Sequence, residues 1–117
     1  IYDRGAHIPL LWTHLIPAAL DGRAAFNVQN AMFAAAMAFS MGVRLEDVRH
    51  GLRTVTSTFY QAPGRLNVYE GHPFTVLFDY AHNANAVEAL VATAARMEVR
   101  GRRIMVLAAP GDRRDDD

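Results

Sequence analysis

The apolar positions run in different periods along the chain, and the pattern changes near its middle. From Ile1 to Leu20 the residues read as β structure, with His7-Ile8-Pro9-Leu10-Leu11-Trp12-Thr13-His14-Leu15-Ile16 rich in β-branched and aromatic side chains. Pro9 and Pro17 place that stretch at an edge, because Pro cannot donate to a ladder. Asp21-Gly22 marks a turn. Asn27 is then the expected N-cap of a helix whose body, Ala31 to Met41, is rich in strong helix formers, with Gly42 at the C-cap position. That helix is apolar on nearly every side and is expected to be buried. A second helix is predicted from about Leu45 to Val55. Glu46 and Asp47 favour its first turn, and Leu45, Val48 and Leu52 form its inner stripe.

Ser57 to Arg65 reads as a connection closed by Pro63-Gly64. Beyond it, Leu66 to Tyr69 alternates as a short strand. Phe74 to Phe78 is a continuous apolar run of the kind found in buried parallel strands, with Gly71-His72-Pro73 turning between the two. A helix is predicted from about Ala84 to Val99, with Val87, Leu90, Val91 and Ala94 on one face. Arg102 to Ala108 reads as another buried strand. Strand, helix, strand is a βαβ unit, which implies an α/β class, a parallel sheet and a right-handed crossover. The change from paired helices to βαβ near Pro63 is the expected domain boundary.

Composition narrows the function classes. The 117 residues are 51% hydrophobic and 21% charged, which excludes a disordered tail or a fibre. Twelve basic against twelve acidic residues gives no field to attract nucleic acid or an anionic membrane. All twelve basic residues are Arg, so no P-loop or Schiff-base Lys lies in this stretch. The absence of Cys excludes disulfides, thiolate metal sites and a thiol nucleophile; a cytoplasmic home is compatible with it. The start at Ile1 and the polar ending Arg113-Arg114-Asp115-Asp116-Asp117 read as part of a longer protein.

In open α/β sheets ligands bind beyond the carboxyl ends of the strands. Two polar clusters fall at such ends, Asp79-Tyr80-Ala81-His82-Asn83 and Gly111 to Arg114, and are expected to lie close together. Asp79 suits ribose hydroxyls, and the helix start after Asn83 offers free N–H groups to an anion. Arg65, Arg113 and Arg114 can hold phosphate or carboxylate bidentately. Plainer readings stand beside these. Asp79 and Asn83 can serve as helix caps, His82 as a turn residue and Asn27 as an N-cap. Asn30, inward on an apolar helix, then needs a partner, and a purine edge is one. Arg102-Arg103 reads as a solvated strand start, and His7, His14 and His72 as structural.

Four motifs occur in order: Gly22-Arg23 followed by Asn27-Val28-Gln29-Asn30-Ala31, then Pro63-Gly64-Arg65, then Asp79-Tyr80-Ala81-His82-Asn83, then Pro110-Gly111-Asp112-Arg113-Arg114. In this order they resemble the Mur ligase superfamily, ATP-dependent ligases that join an amino acid to a carboxylate. The segments Tyr2-Asp3-Arg4-Gly5, Leu15-Ile16-Pro17-Ala18 and Phe59 to Val68 are most similar to the branch that adds arginine to the side-chain carboxylates of a poly-aspartate backbone. The resemblance implies that residues 1–62 end a central ATPase domain and that 63–117 begin a Rossmann-like C-terminal domain. It implies ATP between the two, with Mg2+ as cofactor. It assigns Asn27 and Asn30 to the adenine side, and Arg65, Asp79, His82 and Asn83 to the rest of the nucleotide. Asp112, Arg113 and Arg114 would lie near the incoming amino acid. An acidic polymer or peptide is the implied acceptor and a homo-oligomer the implied state, with neither nucleic acid nor membrane as partner. Ala84 replaces a Pro common in the family, which is tolerable because Pro is only preset for the first helical position. The P-loop would lie upstream, so this stretch alone is expected to be inactive. A peptidoglycan ligase acting on a UDP-muramoyl peptide and a non-catalytic docking module are the rival readings.

Overall fold

The structure, a computed structural model, describes residues 1–108. It opens with a hairpin of β1 (Tyr2–Asp3) and β2 (Ala6–His7), paired antiparallel with Tyr2 opposite His7. Arg4 and Gly5 both take positive φ, 47° and 83°, the turn geometry that matches strand twist. The rest of the stretch expected to be β is not. Thr13–Leu15 and Pro17–Ala19 are short 3-10 turns, closed by Leu15 N–H to Trp12 O (3.0 Å) and Leu20 N–H to Pro17 O (3.1 Å). Among the described residues no strand lies beside this segment, and single turns and side chains pair its backbone groups instead. Pro17 fits the first position of its turn because that N–H would be unpaired anyway.

Helix α1 runs Ala25–Ser40 and α2 runs Leu45–Thr54. Gly42, at φ 87°, ends α1 as its composition requires: Gly42 N–H reaches Phe39 O (3.0 Å) and Val43 N–H reaches Ala38 O (3.1 Å). This paired closure satisfies two terminal carbonyls and needs a left-handed residue. The start of α1 corrects the sequence reading, because its N-cap is Ala24 and Asn27 lies inside the first turn. Burial of α1 is corrected as well. Ala31 and Ala35 are buried, but Met32, Phe33 and Met37 are exposed. Within the described residues only one side of this helix meets protein. That side joins Ile16, Ala19 and Ala31 in a small core, with Leu11, Val28 and Leu52 packed against it.

Helix α2 places Val48 inward. At its N-cap, exposed Arg44 binds Asp47 through two nitrogens, at 2.8 and 3.1 Å. That hydrogen bond first, and the carboxylate charge second, raise the guanidinium above its ordinary pKa. Arg49 reaches back to the N-terminal segment, donating to Leu10 O (2.9 Å) and Pro9 O (2.6 Å). It satisfies carbonyls that the missing strand would otherwise have paired.

The second half holds β3 (Asn67–Tyr69), β4 (Val76–Phe78) and α3 (Ala84–Ala95). The two strands form an antiparallel hairpin with Val68 opposite Leu77. Helices and small sheets together keep the α/β class, and strand β4 leads into α3 as expected. The following strand does not form: residues 102–108 have no regular structure and are exposed. The parallel pairing and its crossover are therefore not seen among the described residues. Arg103 gives a local reason. It folds back to donate to Ala94 O (3.1 Å) and Met97 O (2.8 Å), tying the segment to the C-terminal end of α3, where a cation is favoured. The expectation that Arg102-Arg103 only begins a strand is corrected for Arg103. The halves meet where α1 touches α3, and Arg96 donates to Arg23 O (3.2 Å).

Candidate functional site

The polar residues after β4 are organised by Asp79. Its Oδ2 accepts from Leu66 N–H at 2.7 Å and its Oδ1 from Ala81 N–H at 2.8 Å. Asp79 does not cap α3. It staples the end of β4 to the turn before β3, and Tyr80 N–H adds a bond to Gly64 O at 2.9 Å. Both residues it holds are strained: Leu66 has φ 50° and Ala81 φ 30°. Non-glycine residues in this region persist only where surroundings hold them, and they concentrate at functional sites.

Arg65 stands exposed between Gly64 and Leu66, both buried and both at positive φ. The structure thus brings Arg65 and Asp79 onto one clamped junction. Asn83 follows, and its Oδ1 accepts from Ala86 N–H at 2.8 Å, the N-cap role expected as its plainer reading. His82 lies between them, its ring 5.8 Å from that of Tyr80. Among the described residues, His82 Nδ1 is the buried side-chain polar atom left without a protein partner. Buried polar atoms are rarely left so.

Asn27 and Asn30 form a separate group. Asn27 Nδ2 donates to Ala18 O at 2.7 Å, and Asn30 Nδ2 donates to Asn27 Oδ1 at 3.2 Å. Asn30 is exposed rather than inward, so no buried amide there demands a purine edge. Among the described residues no hydrogen bond joins this pair to Arg65 or Asp79. Asp112, Arg113 and Arg114, and with them the expected closeness of the two strand-end clusters, lie outside the described residues.

Asn67 escaped the sequence reading. It is 1% exposed, and its carboxamide serves three backbone groups: Oδ1 accepts from Gly64 N–H (2.8 Å), and Nδ2 donates to Ser57 O and Ala62 O (both 2.9 Å). The available signal was a polar residue three positions after the glycine of a Pro-Gly turn, at the start of a short strand. The donor set fits a nucleoside better than a metal. Each Asp79 oxygen keeps a lone pair after its backbone bond, enough for a ribose hydroxyl. No cluster of three His, Asp or Glu that could hold a metal ion occurs among the described residues. Nor is any described helix long and apolar enough to cross a membrane.

Residues 64–117, a stretch that includes this clamped junction and α3, match the Mur ligase, glutamate ligase domain family, and the superfamily resemblance of the motifs holds. Among particular relatives, the chain is 42% identical over 112 residues to a cyanophycin synthetase of Trichormus variabilis, covering 91% of this chain and 12% of that protein. It is 39% identical over 102 residues to a cyanophycin synthetase of Crocosphaera subtropica, covering 87% and 12%. A UDP-N-acetylmuramoyl-L-alanyl-D-glutamate–L-lysine ligase of Streptococcus agalactiae is 33% identical over 89 residues, covering 75% and 17%. The chain therefore spans about one eighth of the length of the cyanophycin synthetases it matches.

Proposed function

We propose that this chain supplies the nucleotide-side residues of a cytoplasmic, ATP-dependent acid–amino-acid ligase of the cyanophycin synthetase type. In this reading 1–62 ends a central ATPase domain, 63–117 begins the C-terminal domain, and ATP sits between them. The observation that carries it is the clamped junction, in which exposed Arg65 directly precedes Leu66, whose N–H is bonded to an Asp79 carboxylate with acceptor capacity to spare. Arg65 meets phosphate charge, Asp79 accepts from the ribose, and His82 belongs to the same nucleotide-side motif. Asn83 fixes the start of α3, and Asn27 with Asn30 lies toward the base. Arg65 is suited to its role because guanidinium stays charged and bonds phosphate in a planar fork.

The chemistry ATP supplies is activation of a carboxylate as an acyl phosphate; an amine then forms the amide and phosphate leaves. This chain's part is to bind and orient the nucleotide, the positioning that dominates phosphoryl transfer. Magnesium accompanies the phosphates, its ligands falling outside the cluster described above. We assign Asp112, Arg113 and Arg114 to recognition of the incoming amino acid, which we take as arginine, with aspartate side chains of an acidic polymer as acceptor and a homo-oligomer as the working assembly. The likeness to a peptidoglycan lysine ligase supports a second reading, with a UDP-muramoyl peptide as acceptor.

The test uses the full-length protein with ATP, Mg2+, a poly-aspartate-type primer and each amino acid in turn, with phosphate release recorded. Arginine-dependent release is expected. Release requiring a UDP-muramoyl peptide establishes the second reading, and no release under either condition leaves a docking role.

A further inference from the structure

We propose that Asn67 is a positioning residue for Arg65, a role that rests on reading Arg65 as a nucleotide contact. Arg65 lies between two left-handed residues, Gly64 at φ 70° and Leu66 at φ 50°. Holding both neighbours of such a backbone fixes the direction in which the Arg65 Cα–Cβ bond leaves the chain. Leu66 is held by Asp79 at 2.7 Å. Gly64 is held by Asn67, whose Oδ1 accepts its N–H at 2.8 Å. The same carboxamide donates both its protons, to Ser57 O and Ala62 O at 2.9 Å, and so closes the preceding loop onto β3. One acceptor and two donors are what those three backbone groups require, and among side chains of this size only Asn supplies them. The nearly complete burial of Asn67 makes substitution by water costly. Thr56 and Gln61 stiffen the same loop: Gln61 Oε1 accepts from Thr56 N–H at 2.8 Å. Residues 56–67 therefore form one bonded unit behind Arg65, and Asn67 is its centre.

The isosteric Asn67→Asp variant tests this. It keeps the acceptor for Gly64 N–H but sets a carboxylate against two carbonyls. In the full-length protein, Asn67→Asp, Arg65→Ala and the double variant are compared by KM for ATP and kcat in the phosphate-release assay. Amide exchange is read over residues 62–68 and over α1. Asn67→Asp is expected to raise KM for ATP on the order of tenfold, the cost of a misplaced contact, and to add nothing further in the Arg65→Ala background. Exchange over 62–68 is expected to quicken about tenfold while α1 is unchanged, the size expected for loss of a buried hydrogen-bond partner. A purely structural role predicts lower kcat with unaltered KM, and equal effects in both backgrounds, which overturns the proposal. Unchanged exchange over 62–68 overturns it whatever the activity. If Arg65→Ala itself leaves KM unaltered, the nucleotide reading of Arg65 has failed and takes this role with it. If Arg65→Ala raises KM and Asn67→Asp does not, only the positioning role fails. Should Asn67→Asp not fold, Asn67→Ser, which keeps a smaller donor and acceptor, carries the same comparison.

Discussion

Around Ile16, Ala19 and Ala31, the first half of the chain is joined by apolar contact, with helix α1 giving one side to this core and leaving Met32, Phe33 and Met37 exposed. Around Asn67 and Asp79, the second half is joined by side chains bonded to backbone, at distances of 2.7–2.9 Å. Apolar contact is non-directional and tolerates repacking. Amide and carboxylate bonds fix angles as well as distances, and they hold Gly64, Leu66 and Ala81 in a left-handed backbone that packing alone does not favour. The first half has such bonds too, from Arg49 to Pro9 O and Leu10 O and from Asn27 to Ala18 O, but they surround an apolar core; in the second half they hold the residues on either side of Arg65.

The comparison is broken or sharpened by substitutions read as changes in local opening free energy through amide exchange. The largest effect is expected for Ile16→Ala, about 3 kcal/mol over the first half, the usual cost of emptying a buried aliphatic site. An effect confined to a few tenths of a kcal/mol shows that the small core does not organise α1. Next comes Asn67→Leu, of similar size but without polar atoms, at about 2 kcal/mol over residues 57–67, because three backbone groups lose their partner. If this variant is neutral, packing rather than hydrogen bonding holds the second half. Asn83→Ala is expected to cost about 1 kcal/mol at the start of α3 and to leave Leu66 unaffected, as loss of an N-cap does. Smallest is Met37→Lys on the exposed side of α1, within about 0.5 kcal/mol, as for substitutions away from any contact.

Features set by neighbours in sequence were legible without the structure. The bounds of α2 and the glycine ending α1 follow from periodicity and from the φ that Gly42 allows. The N-cap role of Asn83 was the plainer of two readings, and it is met within three residues. What depended on distant partners was not legible. Asn27 looks like a cap but spends its amide on Ala18 O, nine residues away. Asp79 was marked as a strand-end acid, yet its partner Leu66 N–H is thirteen residues earlier and on another strand's approach. Asn67 left no periodic trace because a single polar residue at a strand start is common. The apolar run of residues 104–107 looked buried because it is apolar, but burial needs a neighbouring layer, which the described residues do not place over it.

The central claim, that a nucleotide seats on the clamped junction of the second half, is tested most directly by amide exchange of the full-length protein with and without Mg2+-ATP. Protection is expected over residues 64–66 and 81–83, with a smaller gain at the first turn of α1 around Asn27 and Asn30 and none over the β1–β2 hairpin. Protection that leaves 64–66 and 81–83 unchanged while appearing elsewhere in the protein contradicts the account.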